Sequence, residues 1–176
     1  MTLPREILPG RFYLITRRCT QRQFLLRPAA ETDNAIIYCL AEAAQRHQIE
    51  ILLPVAMSNH IHVVIYDRFG TVPEFTEHFH KMLAKCLNAH RGRWENFWSS
   101  EQVSMVRLVD APDVVRKLVY AALNPVAAHL VEKVHQWPGV NGFAALVQQQ
   151  PLVAYRPRAS SFAPMARCRR RYPYRW

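Results

Sequence analysis

None of the four cysteines, Cys19, Cys39, Cys86 and Cys168, forms a CxxC pair with another. That spacing argues against a structural zinc site, and scattered thiols suit a reducing compartment better than a disulfide framework. Charges interrupt every apolar run, so no segment has the length to span a bilayer. The opening residues Met1-Thr2-Leu3-Pro4-Arg5-Glu6 lack the basic-then-apolar order of a secretory signal. A cytoplasmic protein without a membrane partner is therefore expected. There is no internal repeat and no His-x-Thr/Ser motif, which excludes a two-histidine phosphoesterase.

Half of the 176 residues are hydrophobic, enough for a real core and most simply one domain. The net charge of +10 is unevenly spread. Seven arginines and no acidic residue lie between Arg156 and Trp176, which leaves 16 basic against 13 acidic residues before them. The body is only mildly basic, so charge alone does not establish nucleic-acid binding. Residues 1–150 are read as the domain and 151–176 as a basic tail without regular structure. Two readings of the tail stand side by side. One is an arm that grips phosphates. The other is the end of a frameshifted, truncated copy, because one permissible codon choice read one base out of frame gives Phe-Phe-Arg-Pro-Asn-Gly-Ala-Met-Pro-Glu, similar to a downstream stretch of longer relatives.

Aromatic and β-branched residues predict strands at Phe12–Thr16, Ile49–Ala56, His60–Tyr66 and Val103–Val109. Arg17 to Arg27 reads as a loop. The stripe Ile36, Ile37, Leu40, Ala41, Ala44 predicts a helix ending near His47, with Thr32, Asp33 and Asn34 as N-cap candidates. Thr71-Val72-Pro73-Glu74 matches a capping box that opens a long helix to about His90. Asp110-Ala111-Pro112-Asp113 opens another. The order β-α-β-β-α-β-α predicts an α+β fold, a ferredoxin-like antiparallel sheet with its helices on one face.

Two motifs carry chemistry. In His60-Ile61-His62 the strand period of two puts both imidazoles on one face, with Ile61, Val63 and Ile65 on the other. Two histidines so placed can hold a metal ion, and a structural role is the competing reading. In the last helix, at about 100° per residue from Leu118, the core stripe of Val114, Ala122 and Val115 lies within about 60°. On the same wheel Tyr120 falls at about 200°, Asn124 at about 240° and Lys117 at about 260°. Periodicity alone makes Tyr120 a flank tyrosine, and Asn124 before Pro125 predicts that the helix ends or kinks there. Arg17, Arg18 and Arg22, and Lys81, Lys85, Arg91 and Arg93 near Trp94 and Trp98, are candidates for a basic track with aromatic platforms. The competing reading is a solvated face with tryptophans as loop anchors.

Met57-Ser58-Asn59-His60-Ile61-His62-Val63-Val64 resembles the Met-Pro-Asn-His-hydrophobic-His strand of single-tyrosine HUH transposases. Tyr120 through Val131 resembles the Tyr-x-x-x-Asn-Pro-Val-x-Ala-Gly-Leu-Val signature of their REP-associated tyrosine transposase branch. Phe97-Trp98 and Val109-Asp110 also fall at the branch's aromatic loop and fourth strand, so the resemblance runs from about Gly10 to Gly142. His129 stands where the branch has glycine, and Trp137-Pro138-Gly139 replaces Tyr-Pro-Trp.

The resemblance implies an HUH endonuclease fold with His60 and His62 as ligands of a divalent ion, Asn124 as third ligand and Tyr120 as nucleophile. It implies nicking and transfer of single-stranded or hairpin DNA through a 5′-phosphotyrosine, by a nucleoid-associated monomer or homodimer. The family favours Mg²⁺ or Mn²⁺, whereas imidazoles alone would suit zinc. Phosphate activation favours the former. DNA contacts would include Arg17, Arg18, Arg22, Lys81, Lys85, Arg91, Arg93 and Lys117. Competing readings are a decayed, binding-only copy and a metal nuclease that uses water.

Overall fold

The structure, a computed structural model, describes residues 6–157 and the backbone of Arg169–Tyr172. Strand β1 (Arg11–Arg18) leads through a short 3₁₀ turn at Thr20–Arg22 to helix α1 (Ala30–His47). Strands β2 (Ile49–Met57) and β3 (His60–Asp67) form a hairpin, followed by α2 (Val72–His90), β4 (Ser104–Leu108) and α3 (Ala111–Ala127). A short α4 (Phe143–Val147) and the strands β5 (Leu152–Tyr155) and β6 (Arg169–Tyr172) complete the order.

The four-stranded sheet runs β2-β3-β1-β4, and every neighbouring pair is antiparallel. Strand β3 separates β1 from β2, and β1 separates β3 from β4. Each strand-helix-strand unit is thus split by a strand of the other, as β-α-β-β-α-β predicts.

The helices do not share one face. Tyr13, Ile15, Ile61, Val63 and Ile65 point into a core with Ile36, Cys39, Phe75, Phe79 and Leu83 of α1 and α2. Leu14, Val64, Leu53 and Val55 point the other way and pack on Ala121 and Ala122 of α3. The physical reason is in β1 and β3, which are apolar on both faces and need cover on both. An irregularity between Ile51 and Leu53 shifts the register, so Ile51 pairs with Ile65 while Leu53 pairs with Val64.

Several sequence-predicted caps fall elsewhere. Helix α1 starts at Ala30, which places Thr32, Asp33 and Asn34 inside it. Thr32 accepts from Arg91 Nη2, and Asn34 exchanges two 2.8 Å hydrogen bonds with the backbone of Tyr155. Helix α2 is not capped by the Thr71 side chain, whose hydroxyl donates to the His47 carbonyl. The fully buried Asp67 takes that role, accepting from the backbone N–H of Phe69, Gly70, Thr71 and Val72. A carboxylate with so many donors resembles an N-cap several residues early.

Nor does α3 stop at Asn124. It runs through Pro125 to Ala127, and its last turn closes with His129 N–H on the Val126 carbonyl and Leu130 N–H on the Pro125 carbonyl. Those two bonds are a Schellman motif, with His129 in the left-handed region at φ 55°. Val115, predicted to face the core, is exposed, and the buried stripe is Ala121, Ala122 and Pro125.

Residues past Pro151, read from sequence as lacking regular structure, include β5, which pairs with β6 and docks on α1. Apart from the β6 backbone, the residues on which the frameshift reading rests lie outside those described. None of the described helices is long and apolar enough to cross a membrane.

Candidate active site and nucleic-acid surface

The site is built on the sheet face that α3 covers. The β1–β3 register sets Thr16 opposite His62 and Arg18 opposite His60. His60 and His62 lie edge to face, ring centroids 4.8 Å apart. Ala121 and Ala122, with side chains of one carbon, let α3 approach β2 and β3 closely. That approach brings Tyr120 to the histidines although it lies off the buried stripe. Its ring meets His62 edge-on at 5.7 Å between centroids, and it stays 52% exposed. Lys117 places its ammonium 5.7 Å from the centroid of the Tyr120 ring.

Asn124 completes the group. Its amide nitrogen faces the Tyr120 carbonyl at 3.4 Å, and its side chain hydrogen-bonds the His60 ring. The structure therefore brings His60, His62, Tyr120 and Asn124 together from two elements about sixty residues apart in sequence.

Each imidazole is oriented by a hydrogen bond at Nδ1. His60 Nδ1 donates to Asn59 Oδ1 at 2.7 Å, and His62 Nδ1 is 2.9 Å from Thr16 Oγ1. His62 Nε2 is buried and has no partner among the described residues, and when Nδ1 carries the proton and donates to Thr16, Nε2 presents a bare lone pair. Burial is the main force holding His60 below the ordinary histidine range, with the Arg18 charge adding and the Asn124 hydrogen bond opposing. For His62, burial and then the His60 and Arg18 charges push the pKa down to about 3. Both rings are thus neutral at pH 7, the form that ligates metals.

This donor set fits a divalent ion. Ring nitrogens fixed through their far nitrogen, with one buried lone pair left unpartnered, are how metal-binding histidines are prepared. Among the described residues no group of three or more His, Cys, Asp or Glu side chains converges, so a third protein ligand would be the Asn124 amide. Thr16 and Asn59 position the two imidazoles, and neither is among the candidate site residues above. Asn59 lies inside the strand motif, while Thr16 carries no signal until the β1–β3 register is known.

The basic residues divide by what holds them. Arg17 donates to the carbonyls of Glu101 and Ser99, and Arg91 to the Leu25 carbonyl and Thr32, so both brace loops. Burial lowers the pKa of each. Arg18 and Lys117 flank the histidine site. Lys81, Lys85 and Arg93 line a groove on the opposite face of the sheet, and Arg22 is in the 3₁₀ turn. Phe97 is buried and Trp98 donates its indole N–H to the His80 carbonyl, so these two anchor their loop. Trp94 is exposed.

No family model and no curated protein matches the sequence. Among solved structures, a REP-associated tyrosine transposase bound to a REP hairpin superposes with a TM-score of 0.70 at 17% identity, over 85% of this chain and 86% of that one. A Deinococcus radiodurans R1 protein assigned as a transposase gives a TM-score of 0.48 at 14% identity, over 68% of this chain and 95% of that one. The chain has the fold of the first of these proteins.

Proposed function

We propose that this protein nicks and rejoins hairpin-bearing single-stranded DNA through a covalent bond between Tyr120 and a 5′-phosphate. The observation that carries the reading is the convergence of Tyr120 with two neutral, pre-oriented histidines, one with a buried unpartnered Nε2. Support comes also from the shared fold with a transposase bound to a hairpin.

His60 and His62 through Nε2, with Asn124, would hold Mg²⁺ or Mn²⁺, which supplies polarisation of the scissile phosphate and neutralises developing charge. Tyr120 Oη attacks phosphorus as the bond to the 3′-oxygen breaks. The phenolic proton leaves to solvent and the released 3′-oxygen takes one up. The phosphotyrosine conserves the phosphodiester, so a 3′-hydroxyl can later attack it and restore Tyr120. Thr16 and Asn59 hold the imidazoles in place. Lys117 and Arg18 offer positive charge to the backbone phosphates on either side.

The test is denaturing electrophoresis of protein incubated with labelled hairpin DNA and Mn²⁺. A metal-dependent, label-bearing band that Tyr120→Phe abolishes supports the reading. Cleavage without such a band, preserved in Tyr120→Phe, would instead establish attack by water, and hairpin binding without cleavage a binding-only protein.

A further inference from the structure

On the sheet face away from the histidines, α2 and the loop from Arg91 to Glu101 enclose an open groove of about 800 Å³. Its lining includes Arg17, Lys81, Lys85, Asn88, Arg93 and Trp94. Four of these are cations, and the carboxylate in the lining, Glu95, is 3.4 Å from Arg93 in an ion pair. Lys81 and Lys85 are exposed and one helical turn apart, a spacing at which like charges repel. Neither forms an ion pair among the described residues. Trp94 leaves 88% of its surface to solvent, while the neighbouring Phe97 and Trp98 already anchor the loop. A large indole left bare in a groove that Lys81 and Lys85 also line contributes little to the fold and matches what a nucleic-acid strand needs: a stacking platform in a cleft with phosphate-binding cations.

The groove borders the 3₁₀ turn at Thr20–Arg22. A second cleft of about 500 Å³ continues from it, lined by Thr20, Gln21, Gln23, Arg93, Glu95 and Asn96. Its floor is the 3₁₀ turn, where Gln21 and Arg22 both adopt positive φ, at 48° and 55°. Two consecutive non-glycine residues in that region cost about 1–3 kcal/mol each, which neighbouring contacts must offset. Those contacts tie the turn to both sites. Thr20 N–H donates to the Phe97 carbonyl of the groove loop. On the other side, Asn59 donates to the Arg22 carbonyl, while its Oδ1 accepts from His60.

We propose that this groove is a track for unpaired DNA, with one base stacked on Trp94 and phosphates on Lys81 and Lys85, and that the Thr20–Gln23 turn guides the strand around the sheet end to His60. The inference rests on the reading that the protein acts on DNA, and it assigns the single-stranded flank to a surface distinct from the one that performs chemistry.

The probes are a labelled twelve-residue oligothymidylate and a blunt hairpin, titrated into full-length protein by fluorescence anisotropy across a salt series. Trp94→Ala should weaken oligothymidylate binding about 5- to 100-fold. It should also reduce the quenching of protein fluorescence on binding. The double substitution Lys81→Gln/Lys85→Gln should lower the slope of log K against log salt by about 1.4. Blunt-hairpin affinity should stay within about twofold in both variants. Trp94 is so exposed that its replacement leaves the melting temperature unchanged, which a thermal scan checks. No binding of oligothymidylate, affinity unmoved by Trp94→Ala, equal losses on both probes, or a tenfold preference for oligouridylate would each overturn the proposal. The Tyr120 adduct assay is scored separately. An adduct with no Trp94 dependence overturns the track alone, and a Trp94-dependent affinity without an adduct overturns the catalytic reading alone.

Discussion

Thr16 Oγ1 and His62 Nδ1 lie 2.9 Å apart across the β1–β3 ladder, and this contact fixes which ring nitrogen of His62 faces the site. Thr16→Val keeps the shape of the side chain and removes the partner. Loss of such an orienting bond lowers metal affinity by about 10- to 100-fold. Mn²⁺ titration followed by electron paramagnetic resonance should show that loss, with the melting temperature of the metal-free protein changed little. Unchanged Mn²⁺ affinity would mean that His62 is not a ligand.

Tyr120 reaches His62 because α3 is seated on alanines. Ala122→Leu inserts three carbons between helix and sheet, where overpacking costs about 1–3 kcal/mol. A displacement of about 1 Å at a reacting group can cost on the order of 100-fold in rate. The variant should therefore stay folded, bind hairpin DNA within a few-fold, and form the covalent adduct at least tenfold more slowly. Adduct formation at the wild-type rate would show that the close seating of α3 is not what positions Tyr120.

His129 occupies the left-handed C′ position of α3, where glycine has no steric cost. His129→Gly should raise stability by about 0.5–1 kcal/mol, after allowing for the extra freedom glycine gives the unfolded chain. A urea denaturation midpoint shifted upward, with an unchanged slope, is the expected result. A downward shift would mean that the His129 side chain makes a contact worth more than the backbone strain.

Acid should destabilise the fold through its buried imidazoles. Burial, then the Arg17 charge, push the His80 pKa down to about 3, and His62 is lowered similarly. Each binds a proton more tightly when unfolded, so their contribution is complete above pH 6.5 and declines as pH falls toward 3, by up to about 1.4 kcal/mol per unit for each ring. Asp33 works in the opposite sense. Burial raises its pKa to about 6 against the Val140 hydrogen bond, so its contribution is present below its unfolded pKa and is lost as pH rises through 6. Stability measured by urea melts at pH 4, 5.5 and 7 should fall toward acid, less steeply in His80→Leu and more steeply in Asp33→Asn. An unchanged profile in His80→Leu would contradict the assignment of a buried neutral imidazole.

Much of this was legible in the sequence because it rests on short-range periodicity. The alternation His60-Ile61-His62-Val63 fixed which residues of β3 share a face, and the structure keeps that division. What was illegible depends on partners distant in sequence. Thr16 becomes an orienting group only through register, and Asp67 caps α2 only because the Phe69–Gly70 turn folds back over it. The two-sided sheet was hidden because Leu14 and Val64 look like ordinary strand residues until α3 is placed. Helix α3 continues only two residues past Pro125, to Ala127, and the Pro125 carbonyl itself accepts one bond of the Schellman closure, which the Asn-Pro rule does not anticipate. The wheel set Tyr120 opposite the buried stripe, but a helix seated this close to a sheet leaves its flank residues within reach of the strands.

Tyr120 is expected to become covalently bound to DNA. The most direct measurement is mass spectrometry of the tryptic peptide Leu118–Lys133 after reaction with hairpin DNA and Mn²⁺, followed by nuclease digestion. The expected result is a nucleotide mass on that peptide, localised by fragmentation to Tyr120, absent without metal and absent when His60 and His62 are both replaced by alanine. An unmodified peptide alongside cleaved DNA bearing a free 5′-phosphate, or a nucleotide on any other residue, would contradict it.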